Sequence, residues 1–281
     1  MIYISNRIYV LMYTSEIISA INTLVLFICI SWTLLYMITK HRRIMDFMTT
    51  AVHSRKSVIL TILIGGLVDI LASEFSFPLF GTSVNVRDCI AIFCGIVGGP
   101  VVGMGVGLIG GLYRITGLVW SGFTGNLGYA TALGCGISTM GAGIVGAWLY
   151  RRRNLNVMNL DSRKIAFVVL ITAIWGIIHV VVINPPLMPF FSEITLEEAF
   201  IFLGERILLP MVVGNSFGML ALLLVAMDTV KNKKVRELEL ERDKEREKLE
   251  FLEKLVKKYE EYIGPVAKTI AKNAIEEREK K

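Results

Sequence analysis

The chain has 281 residues, 54% of them hydrophobic and 19% charged, with a formal net charge of +6. Soluble domains carry about 25% charged residues, so the composition excludes an ordinary soluble enzyme. No aromatic-basic module accompanies the positive charge, which excludes nucleic acid as its partner and assigns it to basic loops beside a membrane.

Charges are sparse from Ile17 to Met227 and dominate from Lys231 to Lys281. This divides the chain into a transmembrane domain, 1–228, and a soluble signalling helix, 229–281. Cys29, Cys89, Cys94 and Cys135 all sit in apolar stretches without CxxC or Cys/His spacing. Neither a metal site nor a disulfide framework is expected, and no cofactor. The first apolar run ends in Thr39-Lys40-His41-Arg42-Arg43 and has no small-residue cleavage site, so it reads as a retained signal anchor.

A spanning helix needs about 20 mainly apolar residues. The spacing predicts spans near 17–39, 57–73, 126–149, 165–184 and 206–228, with a further glycine-rich apolar stretch at 89–113. Basic residues cluster at Lys40–Lys56, at Arg151–Lys164 and from Lys231 onward. The positive-inside rule makes all of these cytoplasmic and puts the N-terminus outside. The loop at 74–88 is then outside, so the stretch 89–113 must cross the membrane either not at all or twice. Gly98-Gly99-Pro100 supplies a turn near its middle. The expected fold is all-α: a polytopic helix bundle with a broken, glycine-rich helical hairpin, followed by a cytoplasmic coiled-coil helix.

Such a hairpin returns Arg87 and Arg114 to one end. Converging arginines can fork onto a carboxylate or phosphate. They can equally pair internally, Arg87 with Asp69 or Asp88 and Arg114 with Glu74. Asn85, Ser121, Thr124 and Asn126 lie nearby in sequence. Glycines at 95, 99, 103, 107 and 111 form one ridge, read as close helix packing. Cys135 and Ser138 share a helix face. Pro210 and Asn215 interrupt the last span, where Asn215 is read as a packing residue. His179 is read as a satisfied bundle histidine.

Asn85-Val-Arg87-Asp88, Gly98-Gly99-Pro100-Val-Val-Gly103, Gly107, Gly111 and Arg114, with Pro210-Met-Val-Val-Gly-Asn215-Ser-Phe-Gly218, resemble the LytS-YhcK type five-transmembrane receptor domain across roughly residues 30–230. That family's domain is the membrane sensor of histidine kinases and diguanylate cyclases. Members that sense small carboxylates such as pyruvate have arginines matching Arg87 and Arg114 and a Cys-x-x-Ser matching Cys135 and Ser138. The resemblance implies a ligand site of Arg87, Arg114, Asn85, Cys135 and Ser138. It also implies a small anionic ligand, a cytoplasmic effector and a multi-pass location in the cytoplasmic membrane. The segment 115–127 is longer than the family's usual connection, which would reshape the mouth of the site.

No kinase histidine box, nucleotide-binding glycine box or GGDEF-like motif follows residue 230, and no nucleophile–base pair or metal cluster emerges, so this chain is not expected to be an enzyme. In the tail, Val235, Leu238, Leu249, Leu252, Val256, Tyr259, Ile263 and Val266 keep a 3–4 spacing that suits a coiled coil and a homodimer. Gly264-Pro265 should break it ahead of a short helix near 266–279. The alternative is a substrate-binding membrane subunit or small transporter.

Overall fold

A computed structural model describes residues 54–74, 77–79, 82–84, 87–117, 126–153, 155 and 160–279, together with positions 18, 25 and 36. The expected first span, 17–39, lies outside the described residues apart from helical, exposed Ile18, Val25 and Tyr36. By length and composition, five described helical segments can cross a membrane: Arg55–Glu74, Arg87–Thr116, Thr131–Arg152, Ser162–Phe191 and Leu208–Glu261.

Helix α1 covers Arg55–Glu74. Two three-residue strands follow, β1 (Phe77–Leu79) and β2 (Thr82–Val84), paired antiparallel with Phe77 opposite Val84. The sequence reading left this ribbon as loop. Helix α2, Arg87–Gly117, is two helical arms joined at Gly99, whose φ of 77° and ψ of −170° an L side chain would rarely adopt. Pro100 opens the second arm, where it needs no backbone donor. A Cβ built on Gly103 would stand 2.6 Å from Gly95 Cα. In a straight helix these positions would be about 12 Å apart, so the arms lie side by side as the expected broken hairpin.

Helix α3 (Asn126–Arg153) packs along both arms. A Cβ on Gly95 would meet Gly146 backbone at 2.7 Å, one on Gly107 would meet the Thr139 carbonyl at 2.7 Å, and one on Gly111 would meet the Gly136 carbonyl at 2.6 Å. The glycine ridge is therefore a backbone-to-backbone seam. Lipid tails are as apolar as leucine, so burial of large apolar side chains gives helices little reason to associate in a membrane, and close approach through small residues takes over. Large apolar side chains point outward instead: Ile59, Leu63 and Leu67 on α1, Met104, Leu108 and Leu112 on α2, and Ile144 and Trp148 on α3. That is the surface expected against acyl chains.

Helix α4 (Ser162–Ile177) starts where Asp161 accepts a hydrogen bond from Lys164 N at 2.8 Å. It runs into a π-helical segment, Ile178–Ile183, then a 3₁₀ turn at Pro185–Leu187 and the short helix α5 (Met188–Phe191). Thr195 and Glu198 form a capping box that opens α6 (Leu196–Arg206). Two hydrogen bonds from Thr195, backbone and hydroxyl, hold the Glu198 carboxyl below the usual carboxylate range.

Helix α7 covers Leu208–Ile263. Pro210 falls in the first turn of α7, where the missing N–H has no helical partner to lose. The chain divides into compact units at 1–230 and 231–281. In the second, Gly264 takes φ 71° between α7 and α8 (Pro265–Glu279). Arg278 shares a groove with Lys244, Lys248, Phe251 and Leu252, so α8 folds back along α7.

The seam makes a graded prediction. Gly103→Val drives a branched side chain into the Gly95 backbone and should cost about 3 kcal/mol or more. Gly204→Ala, with nothing within 4 Å, should instead stabilise α6 by up to about 1 kcal/mol. Thermal unfolding of the two purified variants beside wild type checks both signs.

Candidate functional site

The hairpin gathers polar side chains at its open end, and the most connected is Asp88, in the first turn of α2 and 1% exposed. Ser138 Oγ donates to its Oδ2 at 3.1 Å, and Thr139 Oγ1 lies 3.0 Å from its Oδ1. His179 Nδ1 lies 2.6 Å from Oδ2. A carboxylate only accepts, so Nδ1 carries the proton and the imidazole is fixed in orientation. The Cys135 thiol is a second hydrogen-bonding neighbour of the same imidazole. One buried carboxylate thus ties α2 to α3 and to the π-helical segment.

Two further contacts secure the same end. Asn215 on α7 accepts from Cys89 N at 3.1 Å and donates to the Met211 carbonyl at 3.0 Å. The first amides of a helix have no partner within it, so α7 caps α2 from outside. On α1, Ser73 Oγ accepts from Arg87 Nη1 at 3.1 Å and donates to the Asp69 carbonyl at 3.1 Å.

Arg87 is fully buried and Arg114 partly so. Both interact electrostatically with the thiol of Cys135, and with each other. The structure therefore brings Arg87, Arg114, Cys135 and Ser138 together, while Asn85 lies outside the described residues, as do Ser121 and Thr124. The arginines also face the internal carboxylates considered from sequence: Arg87 interacts electrostatically with Asp69 and Asp88, and Arg114 with Glu74. Asp88 is committed to His179, Ser138 and Thr139. Both carboxyl oxygens of Asp69 lack a hydrogen-bond partner, the carboxyl resting instead against Gly110. Glu74 accepts from the Tyr113 hydroxyl at 2.7 Å, and the Arg114 guanidinium has Cys135 as a hydrogen-bonding neighbour.

Sequence reasoning missed Asp88 as the hub. Its available signal was an aspartate beside Arg87 at the start of an apolar helix, with one histidine in a later span. His179 is a paired bundle histidine, as read.

The model of the family described as 5TMR of 5TMR-LYT matches residues 41–229. The chain belongs to this receptor family. The match ends before the tail, so it covers the membrane unit of the receptor and none of the charged helices beyond it. Curated relatives are sensor kinases. The receptor chain is 28% identical to sensor histidine kinase BtsS of Escherichia coli K12 over 57% of its own length and 25% of that protein's. It is 27% identical to sensor histidine kinase YpdA of the same strain, over 41% and 19%. It is 28% identical to sensor protein LytS of Bacillus anthracis, over 50% and 20%. The alignments thus span a quarter or less of each relative. No solved structure matches. The membrane unit is a multi-pass sensor domain.

Removing one partner of a buried charged pair leaves the other uncompensated, at a cost of about 3–5 kcal/mol. Asp88→Ala should therefore unfold at a distinctly lower temperature. In a double-mutant cycle with His179→Ala, the two losses should fall well short of additive.

Proposed function

We propose that this receptor senses a small anionic metabolite, a carboxylate such as pyruvate, and passes the signal through α7 to a cytoplasmic effector. The observation that carries the reading is the convergence of Arg87 and Arg114 on Cys135 at the open end of a broken hairpin. Ionisable groups within a bilayer are costly and are kept where they pair or work. Two guanidinium groups at one site suit a single carboxylate, and the resemblance to carboxylate-sensing receptors supports that ligand class. In this reading Arg87 and Arg114 hold the carboxylate, with Cys135, Ser138 and Asn85 around it. The basic loops place the site toward the outside and the C-terminus in the cytoplasm, and the long α7 suits a dimeric signalling helix.

Moving a two-state receptor from 1:99 to 99:1 requires a ligand preference of about 5.5 kcal/mol for one state. Desolvated arginine–carboxylate contacts are of that order together. Asn215 supplies a direct route, since any displacement of the α2 N-terminus disturbs its bond to Cys89 N. Taken as a unit of a transporter, the same domain would move its ligand across the membrane, and flux into proteoliposomes separates that reading from a sensor.

The test is thermal stabilisation of detergent-purified protein by a panel of small carboxylates and phosphates. Wild type should show a saturable shift with a carboxylate, and Arg87→Ala and Arg114→Ala should each lose it. A folded wild type that responds to none of the panel would sink the reading.

A further inference from the structure

Asp69 is 0% exposed, and neither of its carboxyl oxygens has a hydrogen-bond partner. Gly110 on α2 leaves the space it occupies, since a Cβ built there would coincide with Asp69 Oδ2. Among the described residues, the titratable groups that face Asp69 are Arg87, Asp88, Cys89 and Cys94, all on α2. Arg87 is the positive one of these. Ser73 lies between the two, accepting from Arg87 Nη1 at 3.1 Å and donating to the Asp69 carbonyl at 3.1 Å. Asp69 therefore feels the charge of Arg87 without sharing a hydrogen bond with it.

Asp88, the other buried carboxylate, is differently placed. Its oxygens already accept from Ser138 and His179. Asp69 has no such bonds, so as a carboxylate it relies on the charge of Arg87 alone. Charge balance gives this a consequence. Arg87 and Arg114 are the cations at this end, and Asp69 and Asp88 the buried anions. His179 and Cys135 together add no net charge, whichever of them holds their shared proton. Glu74 is exposed, where water screens it. The empty site is therefore balanced with Asp69 ionised. An anion bound by the arginines leaves one negative charge in excess, and it takes over the guanidinium that compensates Asp69. A buried carboxylate without compensation neutralises by taking a proton.

We propose that Asp69 is a proton site coupled to the anion site, so that the receptor takes up a proton at Asp69 for each anion bound by Arg87 and Arg114. This rests on the anion-sensing reading above. The proton comes from solvent, the Asp69 carboxylate becomes a carboxylic acid, and the net charge of the site is unchanged. Because binding consumes a proton, the anion binds more tightly as pH falls. The receptor then reports a small acid more strongly in acid surroundings.

The probes are pyruvate, lactate and acetate, titrated into the full chain in detergent between about pH 6 and pH 9, where the acids themselves stay ionised. Wild-type affinity should rise as pH falls, by up to about tenfold per pH unit. Asp69→Asn has the shape and neutrality of the protonated acid. It should bind across the whole window about as tightly as wild type does at the acid end, with the pH dependence gone. A pH-independent wild type, or a slope that survives in Asp69→Asn, overturns proton coupling at Asp69 and leaves the arginine site standing. Failure of wild type to bind any of the three overturns both readings.

A second measurement needs wild type alone, in case Asp69→Asn does not fold. Infrared difference spectra with and without the tightest-binding of the three acids should gain the C=O stretch of a protonated carboxylic acid. Labelling aspartate with ¹³C at the side-chain carboxyl should shift that band and so separate it from any carbonyl of the probe. Binding without a label-sensitive acid band overturns the proposal.

Discussion

The membrane unit turns on a single carboxylate. Asp88 is buried at the start of a helix and accepts from Ser138 and His179, with the Thr139 hydroxyl also at bonding distance. Away from water such a group is tolerated only when its bonds are made, and making them fixes where α2, α3 and the π-helical segment must meet. Asn215 then closes the adjacent amide of α2 from α7. Remove that carboxylate, and the arginines beside it lose the frame that holds them at one end.

The glycine seam makes this arrangement reachable. A hairpin whose arms touch backbone to backbone can carry its two ends back to the same level, which brings Arg87 and Arg114 to a common site. Gly95, Gly103, Gly143 and Gly146 leave no room for side chains between α2 and α3, so the seam is rigid. The polar end differs in kind. It holds charged groups, a buried hydrogen-bond network and a π-helical insertion. Close backbone packing along the arms and a polar cluster at their open end thus divide the hairpin in two.

Much of this architecture was legible in the sequence. The apolar runs located the starts of the spans after the first to within a few residues, because a bilayer demands a stretch of internally bonded apolar backbone. Gly98-Gly99-Pro100 announced the hairpin, since proline and glycine act locally. Glycines at four-residue intervals announced the seam.

By itself the sequence determined what depends on neighbours along the chain: the membrane unit, the broken hairpin, the charged helical tail, and the return of two arginines to one end. Tertiary structure alone decided who partners whom. Asp88 lies 91 residues from His179, and Cys89 lies 126 from Asn215. No periodicity reaches across such distances. From sequence, Asp69 and Asp88 were equal candidates for Arg87, and Glu74 the candidate for Arg114. Folding separated them by burial and geometry, giving Asp88 to His179, Glu74 to Tyr113, and leaving Asp69 against a glycine. Which hydrogen bonds each carboxylate makes is decided by packing in three dimensions, because its partners come from distant parts of the chain.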